Sequence, residues 1–424
     1  MTETIFALSS GAPPAAVALV RVSGPRAGEA LRALAGRLPE PRRATLADLL
    51  EPDEGAPLDR ALVLWLPGPG TATGEDTAEL HLHGGRAVVA AVERALGALP
   101  GLRRAEAGEF TRRAFAHGRL DLAEAEGLAD LLAAETELQR RSALAMAEGG
   151  LSRQADEWRA RVLELSAAVE AALDFSDEDD VAGLPARFGD ECRALCDSLG
   201  EWVAQPRAEL LRDGFRVVLA GPPNAGKSTL FNALTESEAA ITSPLAGTTR
   251  DVITRSVALD GVPFVFADTA GVWEGGGDPV EAIGIGRARK AANTADLVLW
   301  LGDADDAPPD AWPIAAQVDR RAPGEGARHR VSAVTGAGLA ELRAAVLDHA
   351  RSALPAPGQA ALGARQHGLL SACRDEVTAA TDESDPLIVA EHLRRARLAL
   401  DRLVGRSGTE DMLDALFGRF CIGK

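Results

Sequence analysis

Gly221-Pro222-Pro223-Asn224-Ala225-Gly226-Lys227-Ser228 follows the apolar run Phe215-Arg216-Val217-Val218-Leu219-Ala220 and precedes Thr229-Leu230-Phe231-Asn232-Ala233-Leu234. An apolar strand, a loop of the form G-x-x-x-x-G-K-[ST] and a helical run, in that order, make a phosphate cradle. The glycines let backbone N–H groups wrap an anion, the lysine reaches the β and γ phosphates, and the serine hydroxyl is placed for Mg²⁺. This stretch therefore decides the fold around it, an α/β unit with a mostly parallel sheet, and its chemistry, nucleoside triphosphate binding. Lysine is otherwise scarce: Lys227, Lys290 and Lys424 are the only three in the chain. A planar guanidinium and a compact ammonium are not interchangeable at a tight phosphate site. One of so few lysines inside the loop argues for a specific role for Lys227, and more weakly for the terminal Lys424.

Two motifs follow in order. Gly247-Thr248-Thr249-Arg250-Asp251 sits in a polar run before the strand pattern of residues 252–259. A threonine there can complete an Mg²⁺ shell and sense the γ-phosphate. Asp268-Thr269-Ala270-Gly271 ends the apolar strand 263–268. Asp268 can hold the Mg²⁺ shell through water, and Gly271 can donate its N–H to the γ-phosphate. This order after a P-loop indicates a GTPase of the translation-factor type. The guanine-reading N-K-x-D is reduced to Ala316-Gln317-Val318-Asp319, in which only Asp319 matches. Guanine is the expected base, with weakened discrimination. Ser332-Ala333-Val334 supplies the second base loop. The stretch between residues 297–306 and Trp312 is short, so a connecting helix is expected to be missing.

Working outward, residues 1–118 read as α+β, with strands in 4–10, 15–24, 61–67 and 77–85 and helical spacing in 25–38 and 86–99. From Leu120 the sequence turns Ala/Leu/Glu/Arg-rich, with amphipathic helices through Leu128 and through Trp158, Val162, Leu165 and Val169, and an acidic loop at 174–183. Residues 354–363 read as a linker, and 366–424 return to amphipathic helix. Helical sequence on both sides of the α/β unit predicts a GTPase domain (213–354) inserted into a discontinuous helical domain (119–212 and 355–424). No run of apolar residues is long enough to span a membrane, and the start lacks a secretory pattern, which places the protein in the cytoplasm. Cys192, Cys196, Cys373 and Cys421 are too sparse for a disulfide scaffold, and Cys192 and Cys196 read as core residues. A net charge of −18 excludes broad non-specific nucleic-acid binding. A nucleic-acid partner would need a local arginine patch or a second protein to hold it.

The chain resembles the MnmE (TrmE) family of tRNA-modification GTPases from end to end. Its marks are the P-loop segment, GTTRD (247–251), DTAGV (268–272), VEAIGI (280–285), VRVSG (20–24), HLHGG (81–85), GEFTRRAFAHGRLDLAEAE (108–126) and the terminal FCIGK (420–424). The resemblance implies a multidomain α/β and α+β protein: a folate-binding-like N-terminal domain, a helical domain and an inserted Ras-like P-loop GTPase domain. It implies G domains that pair across their switch regions in a homodimer, with a K⁺ ion in place of an arginine finger. The K⁺ ligands would be Asn224, the carbonyls of Ser243 and Leu245, and Thr248. Mg²⁺ would be held by Ser228 and Thr249. Nucleotide contacts would come from Asn224, Ala225, Gly226, Lys227, Ser228 and Thr229. Further contacts would come from Ser243, Pro244, Leu245, Ala246, Gly247, Thr248 and Thr249, from Asp268, Thr269, Ala270 and Gly271, and from Asp319, Ser332 and Ala333. Glu281 would orient the attacking water, and Arg250 would stabilise the switch loop. Arg21, Glu79, Arg119 and Lys424 would contact a tetrahydrofolate derivative, and Cys421 would lie near the product chemistry. The resemblance further implies a heterotetramer with a flavoprotein of the MnmG (GidA) type, and aminomethyl-type modification at C5 of the wobble uridine of certain tRNAs. Two rival readings stand beside it: a GTP switch in ribosome assembly, and a folate-dependent transferase with an inactive G domain.

Overall fold

Alternation along each strand builds the first sheet. In β2 (Val17–Ser23) the buried residues include Ala18, Val20 and Val22; in β5 (Thr77–His83) they include Ala78, Leu80 and Leu82. These side chains pack with Leu31 and Leu34 of α1 (Ala27–Ala35) and Val92 and Leu96 of α2 (Arg86–Ala98). Side chains between them, Arg21, Glu79 and His81 among them, face the other way. The remaining strands are β1 (Thr4–Leu8), β3 (Thr45–Leu50), β4 (Pro57–Leu66) and β6 (Leu102–Arg104). The six-stranded order is β3-β4-β5-β2-β1-β6, antiparallel throughout except for β1 with β6. On the second face, Phe110 of α3 (Glu109–Ala116) covers Ile5 and Ala7. Val17, Leu46, Leu50 and Leu62 stay 40–55% exposed there.

The computed structural model describes residues 3–174, 184–236, 253–268, 294–322, 325–356, 358–407 and 410–424. It divides into two units, Met1–Ala129 with Leu400–Lys424, and Asp130–Ala399. In the first unit the C-terminal helix Glu410–Phe417 contributes Leu416 and Phe417, with Phe420, to a cluster with Leu122 and Ala125 of α4 (Leu122–Ala133). The tail then lies against the first sheet. Ile422 bridges Ala107, and Gly423, at φ +97°, passes so close to β1 that a Cβ would sit 2.0 Å from the Leu8 carbonyl oxygen.

In the second unit, Thr136 and Gln139 form a reciprocal cap on α5 (Glu137–Ala147). Helices α6 (Gly150–Asp174), α7 (Phe188–Val203) and α8 (Ala208–Asp213) lead to β7 (Phe215–Ala220). Then come α9 (Lys227–Thr235), β8 (Ile253–Leu259), β9 (Val262–Asp268), β10 (Leu297–Trp300), β11 (Trp312–Ala315), β12 (His329–Arg330) and the helix Leu339–Ala353. The second sheet runs β12-β11-β10-β7-β9-β8, parallel except for β8 against β9. β7 lies at its centre, between β9 and β10, where the strand order reverses and a ligand crevice forms beyond the strand ends. The helices Ala364–Asp382 and Pro386–Leu403 follow, the first packed against α7.

Two findings differ from the sequence reading and a third agrees with it. β3 and β6 were not expected: β3 buries only Leu49, and β6 is a three-residue edge strand. The supposed linker 354–363 is packed. Leu354, Ala360, Ala361 and Leu362 are buried, and the Ala208 N–H donates to the Leu362 carbonyl at 2.9 Å. Its alanine and leucine content explains the difference, since apolar residues without polar neighbours are driven inward. The expected loss of a helix between β10 and β11 holds: the connection has only the 3₁₀ turn Ala304–Asp306.

Candidate functional site

The P-loop is set by three backbone positions outside the usual range. Gly221 has φ +140° and a Cβ there would lie 2.7 Å from the Leu301 carbonyl oxygen; Asn224 has φ +58° and Gly226 φ +94°. The first and third admit only glycine without strain. This winding brings the chain back so that Lys227 and Ser228 open α9, where backbone N–H groups lack partners and favour an anion. Lys227 is buried, and its Nζ donates to the carbonyls of Gly221 at 2.9 Å and Pro222 at 2.8 Å. Burial lowers its pKa, opposed by the negative charge of Asp268. Asp268 ends β9 opposite Leu219 of β7, is 1% exposed, and its Oδ1 has no hydrogen-bond partner. A buried acceptor left unpaired is costly, so the position suits a donor brought by a ligand. Ser228 and Asp268 together offer the oxygen donors that a hydrated Mg²⁺ takes.

Beyond β11 and β12 lies an open cleft lined by Gly226, Thr229, Gln317, Asp319, Ala333 and Val334. Asp319 Oδ1 accepts from Ser332 Oγ at 2.6 Å, and that bond holds the carboxyl below its ordinary pKa. The carboxylate is thus ionised and oriented, able to accept from a pair of N–H donors on a base. Gln317 was passed over in the sequence as part of a broken motif. It has φ +57°, and its Nε2 donates to the Asn224 carbonyl at 3.3 Å. It bridges the base cleft to the P-loop, and a Cβ at Gly226 would meet that Nε2 at 2.8 Å. Val334, 69% exposed, forms an apolar rim.

Asn224, Ala225, Gly226, Lys227, Ser228, Thr229, Asp268, Asp319, Ser332 and Ala333 are therefore brought to one end of the second sheet. Ser243, Pro244, Leu245, Ala246, Gly247, Thr248, Thr249, Arg250, Thr269, Ala270, Gly271 and Glu281 lie outside the described residues.

The first unit holds a second polar constellation. Arg21 and Glu79 are register partners on β2 and β5, and Arg21 Nε and Nη2 both donate to Glu79 Oε1, at 3.2 and 3.0 Å. The Phe110 ring lies 5.9 Å from the guanidinium. Glu79 Oε2 lies 3.6 Å from His81 Nε2, itself buried and without a partner. His81 was not singled out in the sequence, although its two-residue offset from Glu79 on a strand places both on one face. Arg119 Nε donates to the Thr71 carbonyl at 3.1 Å. Lys424 follows Gly423, which touches Leu8, and Leu8 pairs with Val20, the neighbour of Arg21. Cys421 is exposed.

Cys192 and Cys373 are buried and not poised for thiolate chemistry. Burial pushes the Cys192 thiol up to about 11 and the Cys373 thiol to about 12, so both stay protonated. Among the described residues, no group of three or more His, Cys, Asp or Glu is arranged to hold a metal ion, and no helix is long and apolar enough to cross a membrane.

Comparison with known proteins gives two matches to family models. The MnmE helical domain model matches residues 122–421, and the model for the GTP-binding protein TrmE N-terminus matches residues 4–119. The tRNA modification GTPase MnmE of Novosphingobium aromaticivorans is 64% identical over 439 residues, covering 100% of both chains. That of Erythrobacter litoralis is 62% identical over 424 residues, also covering 100% of both. That of Zymomonas mobilis subsp. mobilis is 49% identical over 443 residues with the same coverage.

Proposed function

We propose, for a chain that belongs to the MnmE (TrmE) family of tRNA-modification GTPases, that it hydrolyses GTP in a K⁺-dependent manner and modifies C5 of the wobble uridine of certain tRNAs together with a flavoprotein of the MnmG type. The observation that carries this is the convergence of Lys227, Asp268 and the Asp319–Ser332 pair at one end of the second sheet. Lys227 exchanges its loop carbonyls for phosphate oxygens when nucleotide enters, which restores a full charge partner to a desolvated cation. Asp268 and Ser228 would hold Mg²⁺, which when bound would neutralise charge on the phosphates. Asp319 accepts the guanine N–H donors, with Ser332 fixing its orientation. Gln317 braces the base cleft against the P-loop, where the family lysine would be. Glu281 orients the attacking water, as the family resemblance implies, and Arg250 supports the switch loop.

Of the K⁺ ligands that the family implies, Asn224 lies among the described residues. Its neutral amide oxygen is chemically suited to a large monovalent cation. A tetrahydrofolate derivative, which supplies a one-carbon unit when bound, is supported by the Arg21–Glu79–His81 cluster. Glu79 Oε1 is engaged by Arg21, while Oε2 lies 3.6 Å from His81 Nε2 and can accept from a pterin's N–H donors. Arg119 and Lys424 suit the carboxylates of such a ligand, and Cys421 sits on the same tail. Pairing of two copies is supported by the uncovered apolar residues Val17, Leu46, Leu50 and Leu62 on the sheet face that also carries Glu79. With so acidic a chain, tRNA is held by the partner or by a local arginine patch.

GTP and ATP hydrolysis measured in KCl and NaCl tests the reading. Faster GTP turnover in K⁺ is expected. Equal rates in both salts would refute K⁺ dependence, and no turnover with either nucleotide would favour the transferase with an inactive G domain. Reconstitution with a MnmG-type flavoprotein, a reduced folate and tRNA tests the modification itself, read as a mass change at the wobble uridine.

A further inference from the structure

The segment 108–126, prominent in the sequence, contains Arg113, which no step above uses. Arg113 is 1% exposed. Its Nη1 donates to Glu75 Oε2 at 2.9 Å and to the Glu3 carbonyl at 2.9 Å, and its Nη2 donates to Glu109 Oε1 at 3.1 Å. Glu109 is at the same time clamped by Arg103 at 2.6 and 2.8 Å. Glu75 Oε2 also accepts from Ser23 Oγ at 2.8 Å, and Ser23 Oγ lies 2.7 Å from Thr73 Oγ1.

Glu75 belongs to the irregular stretch between β4 and β5, which is pinned from several sides. Thr71 Oγ1 donates to the Glu75 carbonyl at 2.6 Å, the Gly68 N–H donates to Asp76 at 2.8 Å, and His117 Nδ1 lies 2.9 Å from the Thr73 carbonyl. Arg119 rests on this stretch through the Thr71 carbonyl. Ser23 ends the strand that carries Arg21, and Glu79 lies opposite Arg21. One buried carboxylate therefore ties the strand of Arg21 to the loop on which Arg119 is seated. A buried ion pair adds little net stability over a well-packed apolar set, because desolvation offsets most of the attraction. What such a network does well is fix geometry.

Resting on the reduced-folate reading of this unit, we propose that Glu75 and Arg113 are positioning residues that hold Arg119 in register with Arg21 and Glu79 for ligand binding. Arg113 fixes Glu75, Glu75 fixes the loop, and the loop fixes Arg119. Neither residue needs to touch the ligand.

Calorimetric titration of the full-length protein with folinate, a stable reduced folate, tests this. Glu75→Gln keeps the shape and removes the charge; Arg113→Lys keeps the charge and removes the fork. Each is expected to weaken folinate binding roughly ten- to hundredfold, the usual scale for losing a supporting residue. GDP affinity and the circular dichroism spectrum are expected to stay as in wild type. The deciding measurement is the cycle with Arg119→Ala: the Glu75→Gln, Arg119→Ala double variant binds no more weakly than Arg119→Ala alone. Additive losses, or wild-type affinity in both single variants, would overturn the proposal while leaving the folate reading intact. Wild-type protein that binds GDP but not folinate would overturn both. If Arg113→Lys does not fold, Ser23→Ala removes one bond to Glu75 and takes its place in the same comparison.

Discussion

Replacing Gly423 with alanine places a methyl 2.0 Å from the Leu8 carbonyl oxygen and 2.9 Å from its carbon, at a φ of +97° that alanine rarely adopts. Leu8 cannot yield, because β1 is held in the sheet by β2 through Leu8 and Val20. The tail must move instead, so the cost is capped by what docking of residues 421–424 contributes. That contribution is small. Ile422 is 63% exposed, and the docking rests on the antiparallel Ala107–Ile422 bridge, about two hydrogen bonds. At about 0.5–1.5 kcal/mol net for each hydrogen bond, the segment is held by roughly 1–3 kcal/mol. A left-handed alanine costs about 1–2 kcal/mol before any clash, so the tail undocks. Phe420, buried with Leu122, stays as the anchor. The expected Tm loss is roughly 2–12 °C, from about 2–4 °C per kcal/mol for a unit of this size. Lys424 loses its place at the same time, so folinate affinity falls while GDP affinity does not. Carboxypeptidase trimming followed by mass spectrometry reads the undocking directly. Trimming and folinate affinity both unchanged from wild type would refute the close approach. A Tm loss well beyond ~12 °C would show that the tail belongs to the core.

Lys227→Arg is expected to lower GTP hydrolysis by more than ~100-fold in a phosphate-release assay, because the buried loop that accepts an ammonium has no room for a planar fork. Asp268→Asn should lower turnover by ~100-fold or more and flatten the Mg²⁺ dependence of GDP affinity, with GDP binding in chelator little changed. The pH dependence of guanine nucleotide binding reports on Asp319. Its folded-state pKa is depressed by Ser332, so the ionised, base-reading form is present above that lowered value and is lost only as pH falls through it. Ser332→Ala removes the cause of the depression, and the acid limb of the GDP affinity profile is expected to move to higher pH; a coincident profile would contradict this assignment.

Much of this was legible because it rests on short-range rules. Phe215-Arg216-Val217-Val218-Leu219-Ala220 leading into the glycines could only be a buried strand feeding a phosphate loop, and β7 and α9 lie where that run places them. β3 was missed because Leu46-Ala47-Asp48-Leu49-Leu50 buries one side chain only, and such a run has no helix or strand period to read. Gln317 was missed for another reason. The motif was compared residue by residue with N-K-x-D, whereas what the site needs is a donor that reaches the P-loop carbonyl, and an amide does that as well as an ammonium. Glu75 and Arg113 could not be paired from sequence at all, since their contact depends on how the stretch before β5 folds over α3.

The second sheet ends at its base-reading margin in a four-residue strand and a two-residue strand, joined through Ile314 with His329 and Ala315 with Arg330. Gln317 and Asp319 hang from one of them and Ser332 from the other. So short an edge opens at little free-energy cost, and its amides exchange with solvent ahead of those in β7 and β9. On the proposed reading, a guanine held by Asp319 and seated against Gln317 would close that edge from outside. Nucleotide at a hundred times its Kd adds about 2.7 kcal/mol to the closed form, comparable to several backbone hydrogen bonds. The base would then be ligand and cross-tie at once, and the empty protein is expected to loosen first at the place where it would read that base.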